Sequence, residues 1–254
     1  MIEEKLALTI EKLRKVRAKE DLKAPPSTIL KTEIKEDVPL TLRQYQVQGV
    51  LHLLAMPRFV LGDDTGLGKT LQVIATLAYL WDKRPDIPAI ILTTKSAVGQ
   101  WESEFEKFTE GVEVFKCLGT KKKRLKIHDE FQKYNNGPKA IVMGYRTACQ
   151  DFDIIRTITG HVMVFDEATA FKNDKSQVHQ VCKHLAGSAE RVWSLSATII
   201  KNRLMEAWAI YKVTVPHLFT TKSAFMRNFC ITRDQILPGG RRRIPVAVGH
   251  RKAD

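Results

Sequence analysis

The segment Asp63-Asp64-Thr65-Gly66-Leu67-Gly68-Lys69-Thr70 decides the fold of this 254-residue chain. A short apolar run, Phe59-Val60-Leu61, precedes it, and residues 71–80 have the composition of a helix. A strand, a glycine-rich loop ending in Lys-Thr and a helix make up a phosphate-binding arrangement, because backbone N–H groups and the helix N-terminus converge on an anion. The usual motif has glycine where this chain has Asp63. We predict that the loop binds a nucleoside triphosphate.

Two residues of the loop have predicted roles in chemistry. Lys69 is expected to reach the β- and γ-phosphates, and the Thr70 hydroxyl is expected to hold Mg²⁺. The other predicted nucleotide-binding residues of the loop are Asp64, Thr65, Gly66, Leu67 and Gly68. The alternative is a glycine-containing turn before an ordinary amphipathic helix, which would require the whole motif to match by chance. ATP and Mg²⁺ are therefore the expected cofactors.

An apolar strand that ends in two carboxylates, residues 161–169, forms the second site. Asp166 is suited to holding Mg²⁺, directly or through water, and Glu167 to deprotonating the water that attacks the γ-phosphate. Asp-Glu after a strand is common and usually only begins a loop, but downstream of a phosphate loop it becomes a strong signal. We predict Lys69, Asp166 and Glu167 as the catalytic residues.

A third strand ends in small hydroxyl residues, Ser194-Leu195-Ser196-Ala197-Thr198. Ser196, Ala197 and Thr198 are predicted to relay the state of the γ-phosphate to a neighbouring domain. A polar strand cap without function is as probable for this segment taken alone.

The rest of the chain alternates strand and helix signals, which predicts βαβ units and a parallel sheet sandwiched by helices in an α/β fold. The predicted strands lie near residues 59–61, 89–93, 112–117, 140–143, 162–165 and 191–195. The predicted helices lie near residues 42–54, 69–81, 96–108, 123–134, 177–186 and 204–213. We divide the chain into an N-terminal amphipathic helix with a linker (1–38), the nucleotide-binding lobe (39–215) and a basic C-terminal segment (216–254).

Composition limits the class of protein and its partners. The chain has 44% hydrophobic residues, no apolar run long enough for a membrane span and no signal peptide, and its four cysteines are widely spaced. We expect an intracellular protein, in the cytoplasm and nucleoid or the nucleus, with reduced thiols and no zinc site. The net charge of +13 is concentrated in residues 116–146 and 201–254. Such blocks suit a polyanion such as nucleic acid, although a merely solvated surface is about as probable.

The order of these motifs resembles the first RecA-like lobe of a Swi/Snf-type ATPase of the second helicase superfamily. Residues 42–50 resemble the family's entry motif, in which Gln46 matches the glutamine that reads adenine and Arg43 lies beside it. The family's phosphate loop also begins with aspartate, which explains Asp63. Asp166-Glu167-Ala168-Thr169 resembles its Asp-Glu-Ala-His motif, with Thr169 in place of histidine.

Further segments carry the same resemblance, which covers roughly residues 39–230. Residues 94–105 resemble a motif whose loop faces the nucleic-acid backbone, residues 142–145 a second strand-end contact, and residues 195–204 the coupling motif, with Ile199 in place of proline. The implied nucleic-acid contacts are Lys95, Ser96, Gly144 and Tyr145, joined by the basic residues Lys121, Lys122 and Lys123. Trp101 is predicted to be a core aromatic residue and not a stacking platform.

The resemblance implies a DNA-dependent ATPase that translocates on duplex DNA through contacts indifferent to sequence. No motif of the family's second lobe follows Arg203, so we expect a second RecA-like lobe in a longer parent chain or in another chain, and a monomer that is weakly active without it. Three alternatives remain: an RNA or DNA helicase lobe of another branch, a nucleotide-gated nucleic-acid-binding module with little hydrolysis, and an unrelated kinase with a phosphate loop.

Overall fold

The computed structural model describes residues 23, 26–35, 38–200, 204–218, 221–236 and 243–250. Its first elements are two short antiparallel strands, β1 (Glu33–Lys35) and β2 (Val38–Pro39). The amphipathic helix predicted within residues 2–20 lies outside the described residues. The division of the chain at residues 38 and 215 stays a prediction.

A six-stranded parallel sheet forms the centre of the molecule. Its strands are β3 (Arg58–Leu61), β4 (Ala89–Thr93), β5 (Glu113–Cys117), β6 (Lys139–Gly144), β7 (Val162–Phe165) and β8 (Arg191–Leu195). Their spatial order is β3-β8-β7-β4-β6-β5, and every neighbouring pair is parallel. Because all six strands run in one direction, the loops after their carboxyl ends meet at one edge of the sheet. The predicted parallel sheet of an α/β fold is confirmed.

Helices cover both faces of the sheet. They are α1 (Gln44–Ala55), α2 (Lys69–Lys83), α3 (Val98–Phe108), α4 (Lys121–Lys133), α5 (Tyr145–Gln150), α6 (Phe152–Ile155), α7 (Gln177–Ser188), α8 (Leu204–Thr214) and α9 (Lys222–Phe229). Residues of α1, α2 and α3 pack in one buried cluster, and residues of α4 to α8 pack in the other. Alternate residues of β4 point to the two clusters, as the period of a strand requires. No helix among the described residues is long and apolar enough to cross a membrane.

Several elements were not predicted, among them the short strands β1 and β2 and the eight-residue helix α9. Helices α5 and α6 are too short to produce a periodic pattern in the sequence. The strands β9 (Cys230–Ile236) and β10 (Arg243–His250) pair as an antiparallel hairpin, where the sequence predicted only a basic C-terminal segment. Residues 95–97 and 168–171 form 3₁₀ turns directly after strand ends.

Two half-buried arginines hold helix ends at the amino edge of the sheet. Arg58 donates from Nη2 to the Ala186 carbonyl (2.6 Å) and from Nη1 to the Thr214 carbonyl (3.3 Å). Arg191 donates from Nη1 to the Leu54 carbonyl (3.1 Å). Because the last carbonyls of a helix lack intrahelical donors and carry partial negative charge, a guanidinium there satisfies and stabilises them. These contacts fix helices to the sheet on the side away from the strand-end loops.

Candidate functional site

The loop after β3 is shaped by two glycines with positive φ. Gly66 has a φ of 79° and Gly68 a φ of 73°, a conformation that other residues adopt only at a cost. Helix α2 begins directly afterwards at Lys69, so its unpaired N–H groups face the loop. The Lys69 ammonium donates to the carbonyls of Asp63 (2.8 Å) and Asp64 (2.9 Å). The loop therefore has the form of an anion cradle with a lysine folded across its base.

Gln46 supports this loop from behind. Its Nε2 donates to the Leu67 carbonyl (3.2 Å), and its Oε1 accepts from the backbone N–H of Arg43 (2.9 Å). Gln46 is buried and Arg43 is exposed. One hydrogen-bond position at each end of the Gln46 carboxamide is thus used inside the protein. A second N–H and a second lone pair remain for the predicted reading of adenine, with Arg43 beside it.

Gln72, which the sequence did not single out, holds the first residue of the loop. Its Nε2 donates to Oδ2 of Asp63 (2.8 Å), and its side chain is fully buried between α1 and α2. Gly49 of α1 is required by this contact, since a Cβ there would lie 1.7 Å from Gln72 Oε1. Asp63, the departure from the usual glycine, is therefore the anchor that ties the loop to α2. The sequence could have indicated this role, because Gln72 is a polar residue on the apolar face of a helix.

Asp166 follows β7 and is held at both its backbone and its side chain. Its N–H donates to the Leu92 carbonyl (2.8 Å), and its carbonyl accepts from the Tyr145 hydroxyl (2.6 Å). Its Oδ2 accepts from the Thr93 hydroxyl and from the Trp101 indole N–H, each at 2.9 Å. The prediction that Trp101 is a core residue is confirmed, but its role in holding Asp166 was missed.

Glu167 adopts a left-handed backbone conformation, with a φ of 51°, and it is the one non-glycine residue with positive φ among the described residues. Such a conformation costs roughly 1–3 kcal/mol and persists where the surroundings fix it. Its N–H donates to Oδ1 of Asp166 (3.0 Å), and a 3₁₀ turn, residues 168–171, follows at once. The strained residue brings the second carboxylate to the same place as the first.

A cleft of about 510 Å³ lies at this edge of the sheet. It is lined by Thr65, Gly66, Gly68, Lys69, Thr70, Thr94, Ser96, Ala97, Gln100, Glu104, Asp166 and Glu167. The structure thus brings together the four residues with predicted chemical roles, Lys69, Thr70, Asp166 and Glu167. Gln100 and Glu104 were not predicted, although their spacing of four places them on one face of α3.

The predicted coupling residues lie beside the loop and outside the lining of the cleft. The N–H of Ser196 donates to the Leu61 carbonyl (3.1 Å), where β3 ends, and its Oγ accepts from the N–H of Thr198 (3.2 Å). A Cβ on Gly62 would lie 3.2 Å from Cδ1 of Ile199. The segment that contains Ala197 therefore contacts the start of the phosphate loop, and residues 201–203 lie outside the described residues.

The predicted nucleic-acid contacts occupy different positions. Lys95 is exposed and lies against Gly144, where a Cβ would be 3.6 Å from the Lys95 Cα. Ser96 lines the cleft, and its hydroxyl lies 3.2 Å from that of Thr94. Tyr145 requires a correction. Its side chain is buried, its hydroxyl supports Asp166, and burial raises its pKa well above the usual range, so it is not available to a nucleic acid.

Three exposed lysines, Lys121, Lys122 and Lys123, form the first turn of α4, after the outermost strand β5. Thr120 caps the start of the helix, because its hydroxyl accepts from the Lys123 N–H. Because β5 ends at the same edge as the other strands, the lysines belong to the same side of the sheet as the cleft.

A second polar cluster joins α4 to Asp151 and is largely buried. Arg124 donates to both oxygens of Asp151, from Nε to Oδ2 and from Nη2 to Oδ1, each at 2.8 Å. His128 Nε2 lies 3.2 Å from Oδ2 and 3.4 Å from the Cys117 sulfur. Burial and the Asp151 charge raise the pKa of Cys117 to about 12, so its thiol stays protonated. The residue types suit a metal, but the guanidinium already occupies the carboxylate.

Comparison with known proteins assigns the family. A model described as the SNF2-related domain matches residues 45–242. An ATP-dependent helicase of Mycoplasma genitalium is 30% identical over 74% of this chain and 18% of its own length, and the helicase domino of Drosophila melanogaster is 31% identical over 83% of this chain and 7% of its own.

A solved structure is similar as well. The SWI2/SNF2 ATPase core of Sulfolobus solfataricus, determined in complex with dsDNA, superposes with a TM-score of 0.65 at 25% identity, over 80% of this chain and 41% of that one. This chain thus spans less than a fifth of either curated relative. Its six-stranded parallel sheet is the RecA-like architecture of that core, as predicted. By the match over most of its length, the chain belongs to the SNF2-related domain family.

Proposed function

We propose that this chain is the ATP-binding lobe of a DNA-dependent ATPase, which couples hydrolysis to movement on DNA or to its remodelling. One observation carries the proposal: a single cleft joins Lys69 and Thr70 of the glycine-rich loop to the carboxylates of Asp166 and Glu167. Membership of the SNF2-related family, relatives named as helicases and a similar core complexed with dsDNA support it.

The residues of the cleft fit a magnesium–triphosphate. Thr70 offers a hydroxyl oxygen and Asp166 a carboxylate that has no ion-pair partner among the described residues, and hard oxygen ligands of this kind suit Mg²⁺. Thr70 and Asp166 would hold the ion. When bound, Mg²⁺ would neutralise charge on the β- and γ-phosphate oxygens.

The protein's own groups supply the remaining chemistry. The N–H groups at the start of α2 bind phosphate oxygens, and Lys69 exchanges its two carbonyl partners for the β- and γ-phosphates. Glu167 orients a water toward the γ-phosphate and accepts its proton. Phosphoryl transfer depends mostly on such positioning and charge neutralisation, so an arginine from a second lobe would add about 10³- to 10⁵-fold.

The order of the strands supports a division of labour along the edge. The ends of β3, β8 and β7 lead into the phosphate and coupling residues, while Lys95, Gly144 and the three lysines 121–123 lie at or after the ends of β4, β6 and β5. We place a duplex along the β4-β6-β5 half, bound through its phosphates without regard to sequence. The second lobe would close over both halves, and the protein would act as an intracellular monomer.

The proposal is tested by the ATPase rate of this chain and of a C-terminally extended form, each with and without duplex DNA. We expect the chain alone to bind ATP and hydrolyse it slowly, and the extended form to be stimulated by DNA. Stimulation by RNA of the same length and not by DNA would favour the helicase alternative. Absence of nucleotide binding by both forms would refute the proposal, and binding without hydrolysis by the extended form would favour a nucleotide-gated module.

Glu167→Gln sharpens this test. The variant should bind ATP as the wild type does, because the amide keeps the shape of the side chain, and should hydrolyse it about 10²- to 10⁴-fold more slowly, because the general base is lost. Binding is measured by calorimetry and turnover by phosphate release, both in the extended form. Unchanged turnover would remove Glu167 from this role.

A further inference from the structure

The two groups that hold the Asp166 side chain flank a single loop. Thr93 is the last residue of β4, Trp101 lies in the first turns of α3, and residues 94–97 connect them. Both donate to the same oxygen, Oδ2, at 2.9 Å. The loop that carries Lys95 and Ser96 is therefore attached to Asp166 at each of its ends.

The hydrogen bonds leave one side of the carboxylate open. A carboxylate offers about four acceptor positions, two on each oxygen. Thr93 and Trp101 use both positions of Oδ2, and the Glu167 N–H uses one position of Oδ1. The remaining position is on Oδ1, on a residue that lines the cleft. Rotation of the carboxylate would break both contacts to Oδ2.

Both donors are committed to this contact by their burial. Thr93 is 0% exposed and Trp101 is 1% exposed, so neither can turn to solvent for another partner. A buried donor that loses its acceptor is left without a hydrogen bond and without water to replace it, and a hydrogen bond to a charged group is worth more than one to a neutral group. The orientation of Asp166 is thus imposed by the core.

We propose that Thr93 and Trp101 are positioning residues for the magnesium site, which hold Asp166 so that Oδ1 faces the cation. The inference rests on the proposed function. Neither residue lines the cleft, so each acts through Asp166. Their loss should raise the Mg²⁺ concentration needed for tight nucleotide binding and leave metal-free nucleotide binding unchanged.

Trp81 provides a matched control. It is also 1% exposed, and its ring centroid lies 6.1 Å from that of Phe105, the same distance as for Trp101. Its indole N–H donates to the Ile87 carbonyl (2.7 Å), away from the cleft. Tryptophan to phenylalanine at either position removes the same atoms from the same aromatic cluster, and only Trp101→Phe removes a donor to Asp166.

The experiment titrates Mg²⁺ into the chain with a fluorescent ATP analogue and compares midpoints. Trp101→Phe and Thr93→Val should each raise the midpoint about 10-fold, the usual effect of losing a partner of a metal ligand. Trp81→Phe and Thr93→Ser should keep the wild-type midpoint, and binding in EDTA should be the same for all. Thermal melting, recorded in parallel, should fall similarly for both tryptophan variants.

Two results would overturn the inference. Equal midpoints for Trp101→Phe and Trp81→Phe would mean that the indole N–H acts only in packing. If Trp101→Phe does not fold, Thr93→Val decides, and a midpoint equal to that of Thr93→Ser would overturn the inference by itself. A wild-type chain that binds no nucleotide at any Mg²⁺ concentration would instead refute the proposed function, and the inference with it.

Discussion

Two aspartates of this molecule, Asp166 and Asp151, each accept several hydrogen bonds, but the donors differ in charge. The donors to Asp166 are neutral: a hydroxyl, an indole and a backbone amide. Asp151 is 3% exposed and receives both arms of the Arg124 guanidinium. Burial alone would raise the pKa of Asp151, but hydrogen bonds and charge from Arg124 and His128 outweigh it and lower that pKa.

The counter-charge separates the two sites. A carboxylate held by neutral donors keeps its attraction for a cation, whereas the charge of one paired with a guanidinium is already neutralised. Cys117 and His128 lie beside Asp151 and are common metal ligands, but the carboxylate between them is already neutralised. The fitness of a cluster for a metal therefore depends on the charge that it leaves unpaired and not on its composition alone.

The largest effect should come from unpairing Asp151. Arg124→Met leaves a buried carboxylate without its cation and should destabilise the chain by about 3 kcal/mol, near the lower end for buried pairs because Arg124 is 11% exposed. Asp166→Asn leaves no charge unpaired and should cost about 1 kcal/mol, while removing Mg²⁺-dependent nucleotide binding. Urea unfolding of both variants measures the difference.

The comparison would fail if the two variants lost the same stability. Lys126→Met is the control. Lys126 is a cation of the same helix, but its ion pair with Glu130 is exposed. Its stability should stay within about 0.5 kcal/mol of the wild type.

A third buried polar group, His161, sharpens the comparison because it has no ion-pair partner among the described residues and is closed to solvent. Its side chain is fully buried at the start of β7, and burial lowers its pKa to about 4, with a small opposing effect of the Ile158 backbone. The unfolded chain has a histidine pKa of about 6.5 and binds the proton first. Stability is thus complete above pH 6.5 and should fall by about 3 kcal/mol as the pH drops to 4.

His161→Leu tests this slope. Leucine cannot titrate and suits the apolar surroundings, so the free energy of unfolding should depend less on pH between 6.5 and 4. The measurement is urea unfolding at several pH values for the variant and the wild type. An unchanged slope would assign the acid sensitivity to another group, of which His128, whose pKa is also lowered by burial, is the first to examine.

The smallest effect on stability is expected at the basic half of the edge. Lys121, Lys122 and Lys123 are exposed, so changing all three to glutamine should alter stability by no more than about 0.5 kcal/mol per residue. The slope of log K against log salt for duplex DNA is negative, and it should become less steep by about one for each lysine that contacts a phosphate. The same change at Lys126 and Lys133, farther along α4, is the control. If the triple variant at Lys121, Lys122 and Lys123 and the double variant at Lys126 and Lys133 have equal slopes, the DNA binds elsewhere.

The sequence was most informative where function restricts the backbone. The loop from Asp63 to Thr70 needs glycines with positive φ and a lysine at a helix start, and these local requirements are visible in the letters themselves. All six central strands were predicted. The four inner strands are near-continuous apolar runs, as strands buried on both faces are, whereas the edge strands β3 and β5 are only partly buried. The hairpin of β9 and β10 was missed because each of its strands is ordered by pairing with the other and not by a pattern within its own residues.

Individual side-chain partners were not predictable. Trp101 has the local pattern of a core residue and is one, yet its N–H reaches Asp166 across 65 residues of chain. Tyr145 follows a strand end, as a nucleic-acid contact would, but it is buried and supports the Asp166 carbonyl. Hydrogen bonds of this kind depend on which strands become neighbours.

By itself the sequence determined the phosphate loop, the paired carboxylates and the alternation of strands and helices, because each depends on residues close together in the chain. Only the tertiary structure decided that the loop and the carboxylates share a cleft, that Gln72 anchors Asp63, and that Asp166 is open while Asp151 is closed. The order β3-β8-β7-β4-β6-β5 sets those neighbours. That order is a property of how the sheet packs, and no local stretch of residues encodes it.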